Sequence, residues 1–128
     1  MNTKLTWQCA VTIAALLGAA TFASAAEPAK EDAAFSAKLL NSLEHSDFNA
    51  FIADGSAEFK AMTKDQFDAA CAQLAPILKV QHTVTFLGEL KQHGYRVTLW
   101  KLSFADGSDD ALVTLSVKDG KVGGFWIK

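Results

Sequence analysis

Cysteine is scarce in this 128-residue chain, with only Cys9 and Cys71, and an excess of basic charge is missing altogether. Twelve Lys+Arg stand against 14 Asp+Glu, a formal charge of −2. Such a balance lacks the basic patch that nucleic-acid phosphates demand. It equally lacks the cationic face of a membrane-surface helix. No His/Cys grouping has metal-ligand spacing, and no glycine-rich loop is built to cradle phosphate. Ser103 and Ser108 have no nucleophile-elbow context, and no Ser-His-Asp arrangement can be argued from residue order. Neither a metal nor a cofactor is therefore expected. Asp106, Asp109 and Asp110 cluster in one stretch, but without the ligand ladder and closing Glu of an EF-hand loop they read as a solvated turn. The apolar run from Ala10 to Ala20 spans about 11–14 residues, short of the roughly 20 a membrane-crossing helix needs.

That run has the form of a secretory leader. Lys4 supplies a positive start, the run forms an apolar centre, and Ala23, Ser24, Ala25 and Ala26 offer cleavage after Ala25 or Ala26. Residues 1–26 are thus expected to be a signal peptide, and the mature protein periplasmic or secreted. Processing removes Cys9, Trp7, Phe22 and Lys4, which leaves 11 Lys+Arg against 14 Asp+Glu and a formal charge of −3. A single cysteine in an oxidising compartment excludes an intrachain disulfide. Cys71, set among Ala69, Ala70 and Ala72, reads as a small buried hydrophobe, with an intermolecular disulfide or a catalytic thiol as the alternatives.

Residues 27–32 are charged and contain a proline, and are expected to be a disordered lead-in. Residues 33–128 suffice for one domain with one core. Phe35, Leu39 and Leu43 recur at helical spacing, and Ser46 or Asp47 can cap the next helix. Phe48, Phe51 and Ile52 make a short apolar stripe, and residues 56–62 are expected to be a loose turn tucking in Phe59 and Met62. Thr63 and Gln66 form a capping box. Behind it, Phe67, Ala70, Cys71 and Leu74 lie on one helix face, and Pro76 is expected to end that helix near Ala75.

From Lys79 the composition turns β-branched and aromatic. Residues 80–90, 95–104, 111–117 and 122–127 read as four strands, separated by His93-Gly94, Asp106-Gly107 and Asp119-Gly120. Short connections imply antiparallel neighbours in a meander. The expected fold is α+β, three N-terminal helices packed on a curved four-stranded antiparallel sheet. Alternation puts Ala111, Val113, Leu115 and Val117 on one face, and Phe125 and Ile127 opposite Trp126. In the second strand both faces carry apolar residues. This suggests a further contact, either a partner subunit or a sheet curling onto itself.

The segments Ser46-Asp47-Phe48-Asn49-Ala50-Phe51, Glu58-Phe59-Lys60-Ala61-Met62-Thr63-Lys64-Asp65-Gln66-Phe67 and Asp119-Gly120-Lys121-Val122-Gly123-Gly124-Phe125 carry a resemblance. In this order the chain resembles the nuclear-transport-factor-2-like (cystatin-like cone) superfamily, and within it small exported bacterial domains of unknown function. The resemblance covers nearly the whole mature chain. It implies a cone of sheet and helices whose open end holds a ligand or an active site, in isomerases, dehydratases, transport adaptors and plain interaction domains alike. Fold alone does not choose among these.

His82, on the apolar alternation of the first strand, is a candidate general base or ligand anchor, or else a hydrogen-bonded core histidine. Tyr95, Arg96 and Trp100 are candidates for the mouth of a pocket, since an arginine fork beside aromatics suits a carboxylate; cross-strand packing is their ordinary role. Trp126 is a candidate for filling the cone or for a dimer face, with simple packing as its ordinary role. His45 at a helix C-terminus reads as a cap that favours the helix dipole, and His93 before Gly94 as a solvent-exposed turn residue. The expectation is an exported, non-catalytic domain that binds a small molecule or an envelope protein through the cone or the exposed sheet face, with homodimerisation through the sheet. The alternative is a small isomerase- or dehydratase-like enzyme pairing His82 with Asp47 or Asp68.

Overall fold

Side-chain caps fix where three of the four described helices begin. In the computed structural model, which describes residues 27–128, the order is α1 (Lys30–Glu44), α2 (Phe48–Ile52), α3 (Ala57–Lys60), α4 (Lys64–Leu78), then β1 (His82–Gln92), β2 (Tyr95–Phe104), β3 (Ala111–Lys118) and β4 (Lys121–Ile127). The leader expected at residues 1–26 lies outside the described residues. Asp47 accepts from Ala50 N at the start of α2, and Ser56 accepts from Phe59 N at the start of α3. Thr63 and Gln66 close a reciprocal capping box on α4, each satisfying an N–H that has no partner within the helix. Ser46 ends α1 with φ 56°, and Asp47 N reaches back to Ser42 O at 2.8 Å, a Schellman-type stop with serine where glycine is usual.

Three expectations are corrected here. α1 begins at Lys30, so Glu31 and Asp32 are helical and not part of a disordered lead-in; Asp32 is buried, which anchors the first turn. Residues 56–62 are not a loose turn but hold a capped helical turn, α3, which makes four helices among the described residues where three were expected. Pro76 does not end α4. Proline removes one N–H and crowds one carbonyl a turn back. The buried Ala75 and Leu78 hold the last turn in place across that gap, with Lys79 N still donating to Ala75 O.

The sheet is an antiparallel meander in the order β1-β2-β3-β4. His93-Gly94 and Asp119-Gly120 carry positive φ at both central positions, as type I′ hairpin turns require. β1 and β4 do not pair, so the sheet stays open and does not curl onto itself. Val122 is held from outside the sheet, its N–H donating to Asp54 O and its carbonyl accepting from Ser56 N. This covers the first part of the β4 edge.

Register resolves the ambiguous second strand. Thr98, Trp100 and Leu102 lie opposite Leu115, Val113 and Ala111, so the even residues of β2 share a face with the odd residues of β3. This is the face that meets the helices. Leu39, Leu43, Phe51, Phe67, Trp100, Leu102, Val113, Leu115 and Val122 form one buried cluster. At about 25 cal/mol per Å² of apolar surface, each such side chain contributes on the order of 2 kcal/mol, which makes this layer the main source of stability. Ser36 is buried in it with a hydroxyl that has no hydrogen-bond partner. No helix among the described residues is long and apolar enough to cross a membrane.

Candidate functional site

The five residues singled out from the sequence fall in three places. His82 is half-buried at the start of β1, where its Nδ1 lies 2.7 Å from Val80 O and its ring packs on Phe104. The carboxylates considered for it are engaged elsewhere. Asp47 caps α2, and Asp68 pairs with Lys64 at 2.7 Å. His82 takes part in none of the ion pairs among the described residues.

Arg96 and Trp100 face the helices. Arg96 Nε and Nη2 donate to the two oxygens of Asp32 at 2.6 and 2.7 Å, and Nη2 also reaches Glu31 at 3.3 Å. The fork that suits a ligand carboxylate is thus filled by a carboxylate of this chain. Hydrogen bonding to Asp32 holds the guanidinium pKa above its ordinary value. Strand alternation holds no hint of this pairing, because the partners are 64 residues apart. Trp100 is core, its ring edge-on to Phe86 and its Nε1 donating to the fully buried Thr98 hydroxyl at 2.9 Å.

Space within the core, between the helices and the sheet, is correspondingly small. A gap of about 80 Å³ lies among Leu43, Phe51, Phe67, Leu74 and Phe125. Organic ligands occupy sites of roughly 300–1,000 Å³, so this is a packing void and not a chamber.

Tyr95 and Trp126 lie on the other face of the sheet, which no helix covers. A β-bulge between Ser116 and Val117 allows Val122 to turn into the core while Gly124 lies opposite Ser116 on the outer face. Both rings lie down on β4 because glycines leave them room. A Cβ on Gly123 would sit 2.5 Å from the Tyr95 ring, and one on Gly124 would sit 2.2 Å from the Trp126 ring. Trp126 is nonetheless 56% exposed.

Trp126 borders three hollows, one of about 400 Å³ at the β4 edge against Glu58, Phe59, Met62 and Gln66, and two on this face. The first of these two, of about 280 Å³, is lined by Gln92, His93, Tyr95, Val97, Ser116 and Trp126, so an apolar floor carries amide, imidazole and hydroxyl groups at its rim. The second, of about 430 Å³, lies on the far side of the indole against Thr114 and Lys128. Leu87 and Leu90 add further exposed apolar surface on β1. Lys118 Nζ stands 5.4 Å from the centre of the Tyr95 ring, within cation–π range. The role of the two glycines could have been suspected from Gly123-Gly124 flanked by aromatics. The bulge that sets their direction left no such signal.

Neither a scan against protein-family models nor a search of curated proteins produced a match for this chain.

Proposed function

We propose that the chain is an exported, non-catalytic binding domain that takes a small molecule or a partner protein on the uncovered face of its sheet. The observation that carries this reading is the pair Tyr95 and Trp126, laid over adjacent glycines beside a polar-rimmed hollow. Ligand sites combine an apolar body with a few directed polar groups, and this hollow has both. The polar groups nearest to a catalytic set are committed to the fold: Arg96 to Asp32, His82 to Val80, Asp47 to a helix cap. The layer order, helices first and then a meander, favours the cystatin-like cone, and the leader favours a periplasmic or secreted location. The small gap under the helices moves the proposed site from the inside of that cone to its outer wall.

Trp100 and Trp126 are the two tryptophans left after residue 26, so an indole-resolved NMR fragment screen on ¹⁵N-labelled protein reads the two faces separately. Binding is expected to move the Trp126 indole and the Val97 and Ser116 amides while Trp100 stays still. Fragments that move only Trp100 or the surroundings of His82, or none at all, would overturn the proposal. Light scattering addresses the homodimer through the sheet; a monomer at high micromolar concentration would exclude it.

A further inference from the structure

The outer face is sorted by charge. Lys101 pairs with Leu112 in register, Lys118 with Lys121, and Lys128 with Leu112 through two backbone hydrogen bonds. Each of these positions belongs to the set turned away from the helices, the same set as Tyr95 and Trp126. Four lysines therefore share this face with two aromatic rings, Lys118 over Tyr95 and Lys128 beside Trp126, and no strand position on that face carries a carboxylate. Asp119 sits beside them, but in the hairpin turn between Lys118 and Lys121.

This arrangement runs against the composition. After residue 26 the chain carries more acidic than basic residues. Lys38, Lys64 and Arg96 are each matched by a carboxylate; Lys101, Lys118, Lys121 and Lys128 enter no ion pair among the described residues, and neither do Lys30, Lys60, Lys79 and Lys91 elsewhere on the fold.

We infer that the Tyr95–Trp126 face selects a small, flat organic anion, with an apolar body resting on the rings and an acidic group held by the lysines. The inference rests on the binding reading above and adds the ligand's charge. The hollow of about 280 Å³ sets the size, close to that of a one- or two-ring compound. Lys118, held over Tyr95 and not by a carboxylate, can swing to an incoming acid without breaking an ion pair.

The test uses three probes of one shape on the exported protein: 2-naphthoate, 2-naphthamide and 2-naphthylmethylamine, each titrated while the Trp126 indole is followed. At low salt naphthoate is expected to bind about tenfold tighter than the amide, and the amine weaker than both. In a K101Q/K118Q/K121Q/K128Q variant, or at high salt, the preference for naphthoate is expected to vanish, with an unmoved Trp100 indole reporting an intact core. Equal affinities for acid and amide would overturn the charge selection and leave the binding face standing. No shift of Trp126 with any probe would remove the binding face itself.

Discussion

Asp32, fully buried on α1, takes both arms of the Arg96 fork from β2, at 2.6 and 2.7 Å. Asp32 is the third residue of its helix, where a negative charge also meets the positive end of the helix dipole. One side-chain pair thus ties the first helical turn to a central strand. Arg96→Met strands a buried carboxylate and is expected to cost about 3 kcal/mol, towards the lower end of the range for broken buried pairs because the arginine is partly exposed. The Asp32→Ala/Arg96→Met double variant is expected to regain much of that loss, since no lone charge remains. Urea denaturation measures both. A single variant within about 0.5 kcal/mol of wild type would show that the pair adds nothing.

Pro76 is exposed in the last turn of α4, and Ala72 lacks the N–H that an ordinary residue there would offer. Pro76→Ala restores that hydrogen bond and removes the ring's crowding, while the unfolded chain gains freedom. The helix effect is the larger, so a net gain of about 1–2 kcal/mol is expected. Thermal unfolding by circular dichroism would register it as a higher Tm.

Local chemistry is well written in the chain. The Thr63–Gln66 box, the Asp119-Gly120 turn and the alternation in β3 depend on neighbours a few residues apart, and each stands where the spacing puts it. Pro76 shows the limit of a local rule, because burial of Ala75 and Leu78 overrides it. The candidate site is legible only as residue types. By type, Tyr95, Arg96, Trp100 and Trp126 suit one pocket mouth or cone lining, yet Arg96 and Trp100 face the helices while Tyr95 and Trp126 face outward. Adjacent strand residues point to opposite sides, and sequence proximity hides that division. Asp32 cannot be read as a partner for Arg96, because nothing local marks a contact across 64 residues.

Asp106 gives a pH signature. Its Oδ1 accepts from the Ser108 hydroxyl at 2.6 Å and from Ser108 N at 2.9 Å. Both bonds favour the carboxylate, the hydroxyl most, so its pKa is lowered from the usual aspartate value. A lowered folded value means the stabilisation is complete above the ordinary aspartate pKa and is lost as pH falls through the folded one. Carboxyl-carbon NMR titration is expected to find the Asp106 midpoint below the ordinary aspartate value, and Ser108→Ala to raise it. An unchanged midpoint in that variant would contradict the assignment.

Cys71 is buried in α4, and desolvation raises its thiol pKa, with the Ser46 hydroxyl opposing. Both burial and a scarce thiolate slow attack on a disulfide. Ellman's reagent at pH 8 is expected to label the folded protein at least about a hundredfold more slowly than the urea-unfolded chain, because access needs local opening. Rapid labelling in the folded state, or a disulfide-linked dimer on a non-reducing gel, would contradict a purely packing role.

Gly124 tests whether the outer face is built around Trp126. A methyl group there would meet the outer end of the indole, which can lift away at modest cost. Gly124 lies opposite Ser116 and outside the main core cluster, so Gly124→Ala is expected to change stability by no more than about 1 kcal/mol. Its effect on the indole is expected to be larger. The ring leaves the strand, its fluorescence moves to the red, and its NMR signal shifts while that of Trp100 keeps its place. Affinity for 2-naphthoate is expected to fall about tenfold, as the stacking surface is lost without any change in charge. If the indole moves and affinity does not, Trp126 is a cover for β4 and not a contact for the ligand.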